Sequence, residues 1–375
     1  MEAIWGVSWR SRAVPVGHLP ERSRRRMLSS SLPPLARVAV RSESGANRMF
    51  VFGTGFVGRY VSDRLRKEGW QVSGTCTNPS SKRVLEEMGL EAFIFDVHNS
   101  KLSSLHTLQH ATHLLISIPP IVGIGDPLLR LHEDLQGTLS HGNLQWLCYL
   151  SSTSRSTSSV PLNFFFGVYG DCSGAWVDED YPVNPQKESA KARLAAEKGW
   201  LALGHELGVV VNIFRLGGIY GPGRSALDTI LKRESLSEGQ KRRETRLYTA
   251  RVHVADIHQA IKASFDILSS GKIYNVVDDD PAPRAEVFAF AEALIERRWP
   301  RMASRSACGS LEDLKSLKEN IHHGEKRVSN ARLKKDLGVR LLYPTYRLGL
   351  QSILDSWELF PTDRESQQHD RGWEA

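Results

Sequence analysis

Cysteine is scarce in this 375-residue chain, and the four present, Cys76, Cys148, Cys172 and Cys308, form no C-x-x-C pair. Scattered singly, they argue against a disulfide framework or a zinc site and suit free thiols in a reducing compartment. Long apolar runs are missing too. No stretch approaches the roughly 18 to 20 residues that a bilayer-spanning helix needs. Internal repeats are absent. Acids are few at the start: residues 1–48 hold nine arginines and three glutamates, with no aspartate or lysine, and so carry +6 of the chain's net +7. The rest is close to neutral, which weakens the case for a nucleic-acid partner.

Arginine and serine with few acids make the composition of an organelle transit peptide. A basic arm for nucleic acid is the competing reading, but only Trp5 and Trp9 supply aromatics there. Residues 1–47 are therefore expected to be a disordered transit peptide, addressed to the chloroplast stroma or, alternatively, the mitochondrion. Met27 opens "MLSSSLPPLARVAV", which would itself pass as a shorter presequence. Beyond this segment the balance is ordinary for a globular protein, with 41% hydrophobic and 24% charged residues over the whole chain. The length suffices for one large core or two modest ones.

Apolar runs alternate with helical spacing from Met49 onward. "MFVF", "QVSGTCT", "EAFIFDV", "THLLISI", "LQWLCYLSS" and "VVVNIF" read as strands. Between them, "RYVSDRLRKEGW", "KRVLEEMGL", Pro127 to Gly142 and "KESAKARLAAEKGW" read as helices. That alternation predicts a doubly wound parallel α/β sheet. Uninterrupted apolar strands fit, because such a sheet is covered on both faces. After Gly223 the alternation weakens: 231–246 reads as an exposed charged stretch, "RVHVADIHQAIKASFDIL" as a strand entering a helix, and "KIYNVVDD" as a strand. "PRAEVFAFAEALIERRW" reads as a helix with Val287, Phe290, Ala291 and Leu294 on its core face. The last fifteen residues read as a disordered tail.

"GTGFVG" places glycines at 53, 55 and 58, with Thr54, Phe56 and Val57 between them. In a strand–turn–helix context this is the dinucleotide fingerprint. The first glycine makes the tight turn, the second admits a pyrophosphate to the backbone, and the third lets helix and strand pack. The second strand ends "TCTNPSSKR", with no acid before Glu86 to grip a ribose 2′-hydroxyl. Thr77, Ser81, Lys82 and Arg83 could receive a 2′-phosphate there, which favours NADP, with NAD as the alternative. A solvated loop and a basic first helical turn are the bland reading of the same residues.

Further along, "YLSST", "GVYGD", "RLGGIYGPGR", "RVHVADI", "IYNVVDD" and "KRVSNARLKKDLGVRLLYPTYRLGL" follow in an order that resembles the extended short-chain dehydrogenase/reductase superfamily, also called NAD-dependent epimerase/dehydratase. The resemblance covers Phe50 to Leu354. It implies a Rossmann-type domain at 48–222 and a smaller C-terminal substrate lobe at 223–360. Strand 272–278 would return to the main sheet, and 361–375 would be tail. It also implies roles: Asp96 at the adenine edge, Ile118, Pro119 and Pro120 beside the nicotinamide ribose, Ser152 on a substrate hydroxyl or carbonyl, Arg224 on a substrate phosphate, and His253 on the strand that closes the site. His253 lies between apolar neighbours and is more readily a core histidine than a catalyst.

Two departures stand out. "SRSTSSVPLNFFF" (Ser154 to Phe166) interrupts the junction of "YLSST" and "GVYGD" like an insertion. The family's Tyr-x-x-x-Lys is also missing: aligning "RLAAE" puts Ser189 and Arg193 in those places. In the family the lysine lowers the tyrosine pKa for proton transfer. Serine has no such acidity, and arginine stays charged. Tyr181 could supply a phenol from the preceding loop, although a turn tyrosine is the plainer reading. Two functions remain open: an NADP-dependent oxidoreductase or epimerase-like enzyme using Ser152, Ser189 and Arg193, and a non-catalytic nucleotide-binding regulator or assembly factor. The substrate would be a small molecule of unidentified class, no metal is expected, and a homodimer is compatible with either.

Overall fold

The computed structural model describes residues 47–97, 100–153, 167–185, 187–232, 248–267, 269–300 and 326–357. The expectations for the transit peptide before 47, the insertion 154–166, most of the charged stretch 231–246 and the tail 361–375 lie outside the described residues.

Seven strands form one parallel sheet: β1 (Arg48–Phe52), β2 (Gln71–Cys76), β3 (Glu91–Ile94), β4 (His113–Ile116), β5 (Trp146–Ser152), β7 (Val210–Leu216) and β10 (Lys272–Val276). Their spatial order is β10-β7-β5-β4-β1-β2-β3. β1 sits at the centre of the reversal, with Val51 registered on Gly74 of β2 and on Leu115 of β4. After β3 the chain crosses back to the other side of β1. In open α/β sheets, ligands bind at the carboxyl ends of the strands beside such a reversal.

The strands are mostly apolar because both faces are covered. On one face α1 (Phe56–Lys67) and α6 (Val254–Ala263) pack Val57, Val61, Leu65, Ile257 and Ile261 over Val51 and Leu115. On the other, α3 (His132–Ser140) and α4 (Glu188–Leu207) lay Leu135, Leu139, Trp200 and Leu203 on Phe50, Phe52, Leu114 and Tyr149. Each fully buried Leu or Phe contributes roughly 1.5–3 kcal/mol, so an alternating polar pattern would be costly in these strands. The sequence expectation of a doubly wound, Rossmann-type α/β sheet is met.

A third apolar cluster joins α5 (Ala226–Leu231), α7 (Arg284–Arg298) and α9 (Tyr346–Asp355) through Leu227, Val287, Leu294, Tyr346 and Leu350. Two short pairs complete the described structure: β6 (Trp176–Val177) with β11 (Arg327–Val328), and β8 (Gly218–Tyr220) with β9 (Arg251–His253). α8 (Ala331–Leu337) packs Leu333 and Leu337 into the first cluster. α2 (Pro79–Glu87) starts at a capping Asn78, whose side chain accepts the Ser81 N–H at 2.8 Å.

Two boundaries and one buried face differ from the sequence reading. The helix expected from Pro127 begins at His132, because the Asp126 carboxylate takes the N–H groups of Leu128 and Leu129 at 2.9 and 3.2 Å and shapes a 3₁₀ turn first. The strand expected over 272–278 ends at Val276, where the Asp278 N–H turns to the Arg251 carbonyl at 2.6 Å. On α7, Ile295 joins the buried face and Phe290 is only partly buried, packed at its edge.

Candidate functional site

The turn after β1 sets the first part of the site. Gly53 has φ +89°, a left-handed conformation that glycine adopts without strain. Its N–H donates to Thr75 Oγ1 at 2.9 Å, and the Thr54 N–H and hydroxyl both donate to the Thr75 carbonyl, at 2.9 and 2.8 Å. Thr54 is thus a buried strut between β1 and β2, a role the motif alone does not reveal. A Cβ on Gly53 would lie 2.9 Å from Ile118 Cγ1, so the glycine turn and the loop after β4 meet at the sheet reversal. A Cβ on Gly58 would stand 2.4 Å from the Gly53 carbonyl oxygen, which fixes that position as helix–strand packing. Gly55 is different: it is exposed, and a Cβ there would meet nothing within 4 Å. It caps α1, whose first turn carries no acid. Free N–H groups and the positive end of a helix dipole therefore face an open space of the kind a phosphate occupies. The residues fit a dinucleotide pyrophosphate.

The end of β2 carries Thr77, exposed, with Ser81 and Lys82 half-buried and Arg83 exposed on the first turns of α2. Lys82 lies 3.6 Å from Glu86, one turn on. Burial raises the Cys76 thiol pKa here, and the charges of Lys82 and Arg59 pull against that rise. Arg59 follows Gly58 directly and has a buried Nε with no hydrogen-bond partner. The sequence reading missed it. Asp96 is exposed beyond β3, its N–H held by Ser100 Oγ at 3.0 Å. Ile118 and Pro120 are half-buried, and Pro119 is exposed.

At the end of β5, Ser152 is half-buried with its hydroxyl 3.4 Å from the Leu216 carbonyl. Ser189 and Arg193 lie one turn apart on α4, both half-buried, and among the described residues neither makes a side-chain hydrogen bond or ion pair. Arg193 is near enough to pull on the Tyr149 phenol, whose pKa burial nevertheless drives up. Tyr181 packs at the edge of a small cluster formed by Val168, Val177, Val277 and Val328, and Cys172 raises its pKa.

What holds α4 in place is a buried chain of polar groups. Glu197, 1% exposed, takes Arg215 through both oxygens, with Nη2 to Oε2 at 2.7 Å, and accepts the Ser151 hydroxyl at 2.5 Å. Burial pulls the Arg215 pKa down, but Glu197 overrides it and the net shift is upward. The Arg215 guanidinium carbon stands 4.9 Å from the Tyr169 ring centre, and the Tyr169 hydroxyl donates to Asn275 Oδ1 at 2.7 Å. Burial pushes the Tyr169 phenol up to about 12, so it stays protonated. One signal in the sequence could have exposed this network: a single arginine inside "VVVNIFRL" must be paired if the strand is buried.

Arg224 is exposed overall, and its guanidinium carbon lies 5.3 Å from the centre of the Phe56 ring, in the glycine turn. Loss of water lowers its pKa. His253 is placed differently. It caps α6, Nδ1 accepting the Ala255 N–H at 3.2 Å, and its ring lies between Tyr220 and Tyr343 with centroids at 5.2 and 4.1 Å. Burial lowers its pKa to about 4, so it is neutral near pH 7. Glycine turn, Ile118 and Arg224 thus come together. Asp256, just beyond on α6, holds the N–H groups of Leu342 and Tyr343 at 2.6 and 3.2 Å.

Among the described residues no group of three or more His, Cys, Asp or Glu is arranged to hold a metal ion, and no helix is long and apolar enough to cross a membrane.

No family model matches the chain. A functionally unknown conserved protein from Silicibacter pomeroyi has a solved structure that is 30% identical, with a TM-score of 0.61; the match covers 84% of this chain and 100% of that one. Protein YeeZ of Escherichia coli is 26% identical over 306 residues, 79% of this chain and 96% of its own. A Methylobacillus flagellatus structure described as an NAD-dependent epimerase/dehydratase is 23% identical, covers 84% of this chain and 99% of its own, and has a TM-score of 0.57. UDP-glucuronic acid 4-epimerase from Bacillus cereus, solved in complex with NAD, is 16% identical at a TM-score of 0.56, covering 82% of this chain and 97% of its own.

Proposed function

We propose, from the motifs that resemble the extended short-chain dehydrogenase/reductase, or NAD-dependent epimerase/dehydratase, superfamily and from the fold shared with the solved structures above, that the chain is a member of it, binds a nicotinamide dinucleotide at the glycine turn and acts as an oxidoreductase or epimerase-like enzyme with a reassigned proton donor. The observation that carries the binding is the open, acid-free N-terminus of α1 behind an exposed Gly55. Gly55, Phe56 and Val57 would lie along the phosphates with Thr54 bracing the turn from behind, Ile118 and Pro119 beside the nicotinamide ribose, and Asp96 at the adenine edge. When bound, the cofactor would supply hydride exchange. The chain's own part is to orient substrate, through Ser152 and Ser189, and to place the Arg193 cation near it.

NADP is favoured over NAD. The support is the absence of an acid from Thr77 to Ser81 together with the cations of Lys82 and Arg59 around Cys76. The Bacillus cereus neighbour was solved with NAD; the NADP reading rests on the residues after β2 of this chain alone. Titrating the full chain with NADPH and NADH, followed by ligand fluorescence, tests it: NADPH should bind more tightly, and equal or tighter NADH binding would overturn it.

The second reading, a non-catalytic nucleotide-binding regulator or assembly factor, draws on Ser189 and Arg193 standing where a Tyr-Lys relay would be. Both readings expect binding; sustained NADPH consumption with a carbonyl substrate separates them. Delivery to the plastid rests on the composition of residues 1–47, and sequencing the N-terminus of protein from tissue would test it. An intact Met1 on a cytosolic protein would refute that delivery.

A further inference from the structure

Arg224 has no acid to answer it. Among the described residues no carboxylate pairs with its guanidinium, and the nearest acid along the chain, Asp228, is taken by the Ser225 hydroxyl at 2.5 Å. The arginine is nevertheless held in a defined place. It closes a tight turn in which the Gly221 N–H donates to the Arg224 carbonyl at 3.1 Å, and the Arg224 N–H returns to the Gly221 carbonyl at 3.0 Å. Gly223 supplies the left-handed residue, φ +78°, that lets the turn reverse.

Both ends of that turn rest on one side chain, Phe56. A Cβ on Gly221 would lie 3.2 Å from Phe56 Cζ, and the Arg224 guanidinium carbon lies 5.3 Å from the ring centre. Phe56 is the first residue of α1 and follows the exposed Gly55 directly. A cation over an aromatic face gains modest electrostatic attraction, but the stack also leaves the fork of N–H donors unused. Two positive features without a paired carboxylate therefore meet at Phe56: the acid-free amino end of α1 and the Arg224 cation.

We propose that Arg224 grips the pyrophosphate of the bound dinucleotide, so that the 221–224 turn roofs the glycine turn and the cofactor's phosphates lie between them. This rests on the dinucleotide-binding reading above and departs from the substrate-phosphate role that the superfamily resemblance implies for this residue. The argument for the cofactor is position. Arginine's planar fork suits a bidentate phosphate contact, and here it stacks on the motif that receives the pyrophosphate. The Phe56 ring acts as its platform, fixing the guanidinium before ligand arrives and reducing the ordering that binding requires.

The experiment uses the full chain with two probes, ADP-ribose, which has the pyrophosphate but no nicotinamide, and AMP, which has no pyrophosphate. Arg224→Gln should weaken ADP-ribose binding roughly 10- to 100-fold, the size expected when a charge-assisted hydrogen bond is lost. AMP binding should change less than about threefold, since the adenosine end is gripped elsewhere. Arg224→Lys, which keeps the charge but not the fork, should fall between. Phe56→Leu should weaken ADP-ribose binding less than Arg224→Gln does. Melting curves identify any variant that fails to fold, and Arg224→Lys then carries the comparison. ADP-ribose binding unchanged in both Arg224 variants would overturn the proposal and return Arg224 to the substrate. A native chain that binds AMP but neither ADP-ribose nor NADPH would instead defeat the dinucleotide reading itself, and the proposal with it.

Discussion

The glycine turn after β1 and the face of α4 are both built into the same sheet, but by opposite means. The turn is held by what side chains lack: positions 53 and 58 have no room for a Cβ, and Thr75 takes every donor that Gly53 and Thr54 present inward. α4 is held by charge, with Glu197 and Arg215 locked together in the interior. The turn has the glycine spacing and the open second position of a dinucleotide fingerprint. The helix keeps its position, yet shows Ser189 and Arg193 where a proton relay would stand. Different residues secure the turn and the helix, so a change in one leaves the geometry of the other in place.

The sharpest test of that contrast is turnover. Positioned general acid/base help is typically worth about 10² to 10⁴ in rate, and neither Ser189 nor Arg193 can pass a proton as a lysine-lowered phenol does. NADPH oxidation against aldehydes, ketones and nucleotide sugars is therefore expected to be slow, about 10² to 10⁴ below what a Tyr-Lys relay would give, and a rate indistinguishable from background would favour the non-catalytic reading. Fast turnover that survived Ser189→Ala and Arg193→Ala would place the chemistry elsewhere, with Tyr181 the first candidate.

Next comes the anchor of α4. Arg215→Met leaves a carboxylate at Glu197 in the interior without its partner, which typically costs about 3–5 kcal/mol. The melting temperature should fall sharply, while Glu197→Gln combined with Arg215→Met should recover much of the loss. A single Arg215→Met chain as stable as the native one would show that the ion pair does not anchor α4.

Gly55→Val probes the other side of the comparison. Its Cβ meets nothing within 4 Å, so stability should change by roughly 1 kcal/mol or less, whereas NADPH and NADH binding should both be lost because the side chain fills the phosphate approach. Retained binding would exclude Gly55 as the point of closest approach. Gly58→Ala should behave differently and lower stability too, since its Cβ would collide with the Gly53 carbonyl.

The legibility of this chain divides along the same line. The glycine turn could be read because its determinants are local: three glycines within six residues, a strand before and a helix after. The parallel sheet was legible because burial on both faces leaves uninterrupted apolar runs. The Glu197–Arg215 lock was not, since the partners are 18 residues apart and meet only when α4 packs on β7. The start of α3 was misplaced because a single carboxylate, Asp126, outcompetes helical hydrogen bonding for two N–H groups. Arg224 was noticed, but its stack on Phe56 joins residues 168 positions apart and needs the fold to be seen.

The smallest effect expected concerns a residue in neither region. His113 sits on β4 among Trp70, Trp146 and Phe265, with ring centroids 4.8, 5.8 and 4.7 Å away, and its Nδ1 is 2.9 Å from Thr112 Oγ1. Burial lowers its pKa to about 4 from the ordinary 6.5. Between those values the unfolded chain binds a proton there and the native chain does not, so stability falls as pH drops from 6.5 toward 4. One such group gives a slope of at most roughly 1.4 kcal/mol per pH unit. His253 and His258, also lowered to about 4, act in the same direction. Asp256, raised to about 6 by burial, acts against them, since the native state holds its proton longer. The whole-chain slope is therefore a balance, and the informative quantity is the difference a single substitution makes. His113→Leu should shallow the fall in urea midpoint between pH 7 and pH 5 without removing it. Identical slopes in the native and His113→Leu chains would mean that His113 takes up its proton equally well in the folded state.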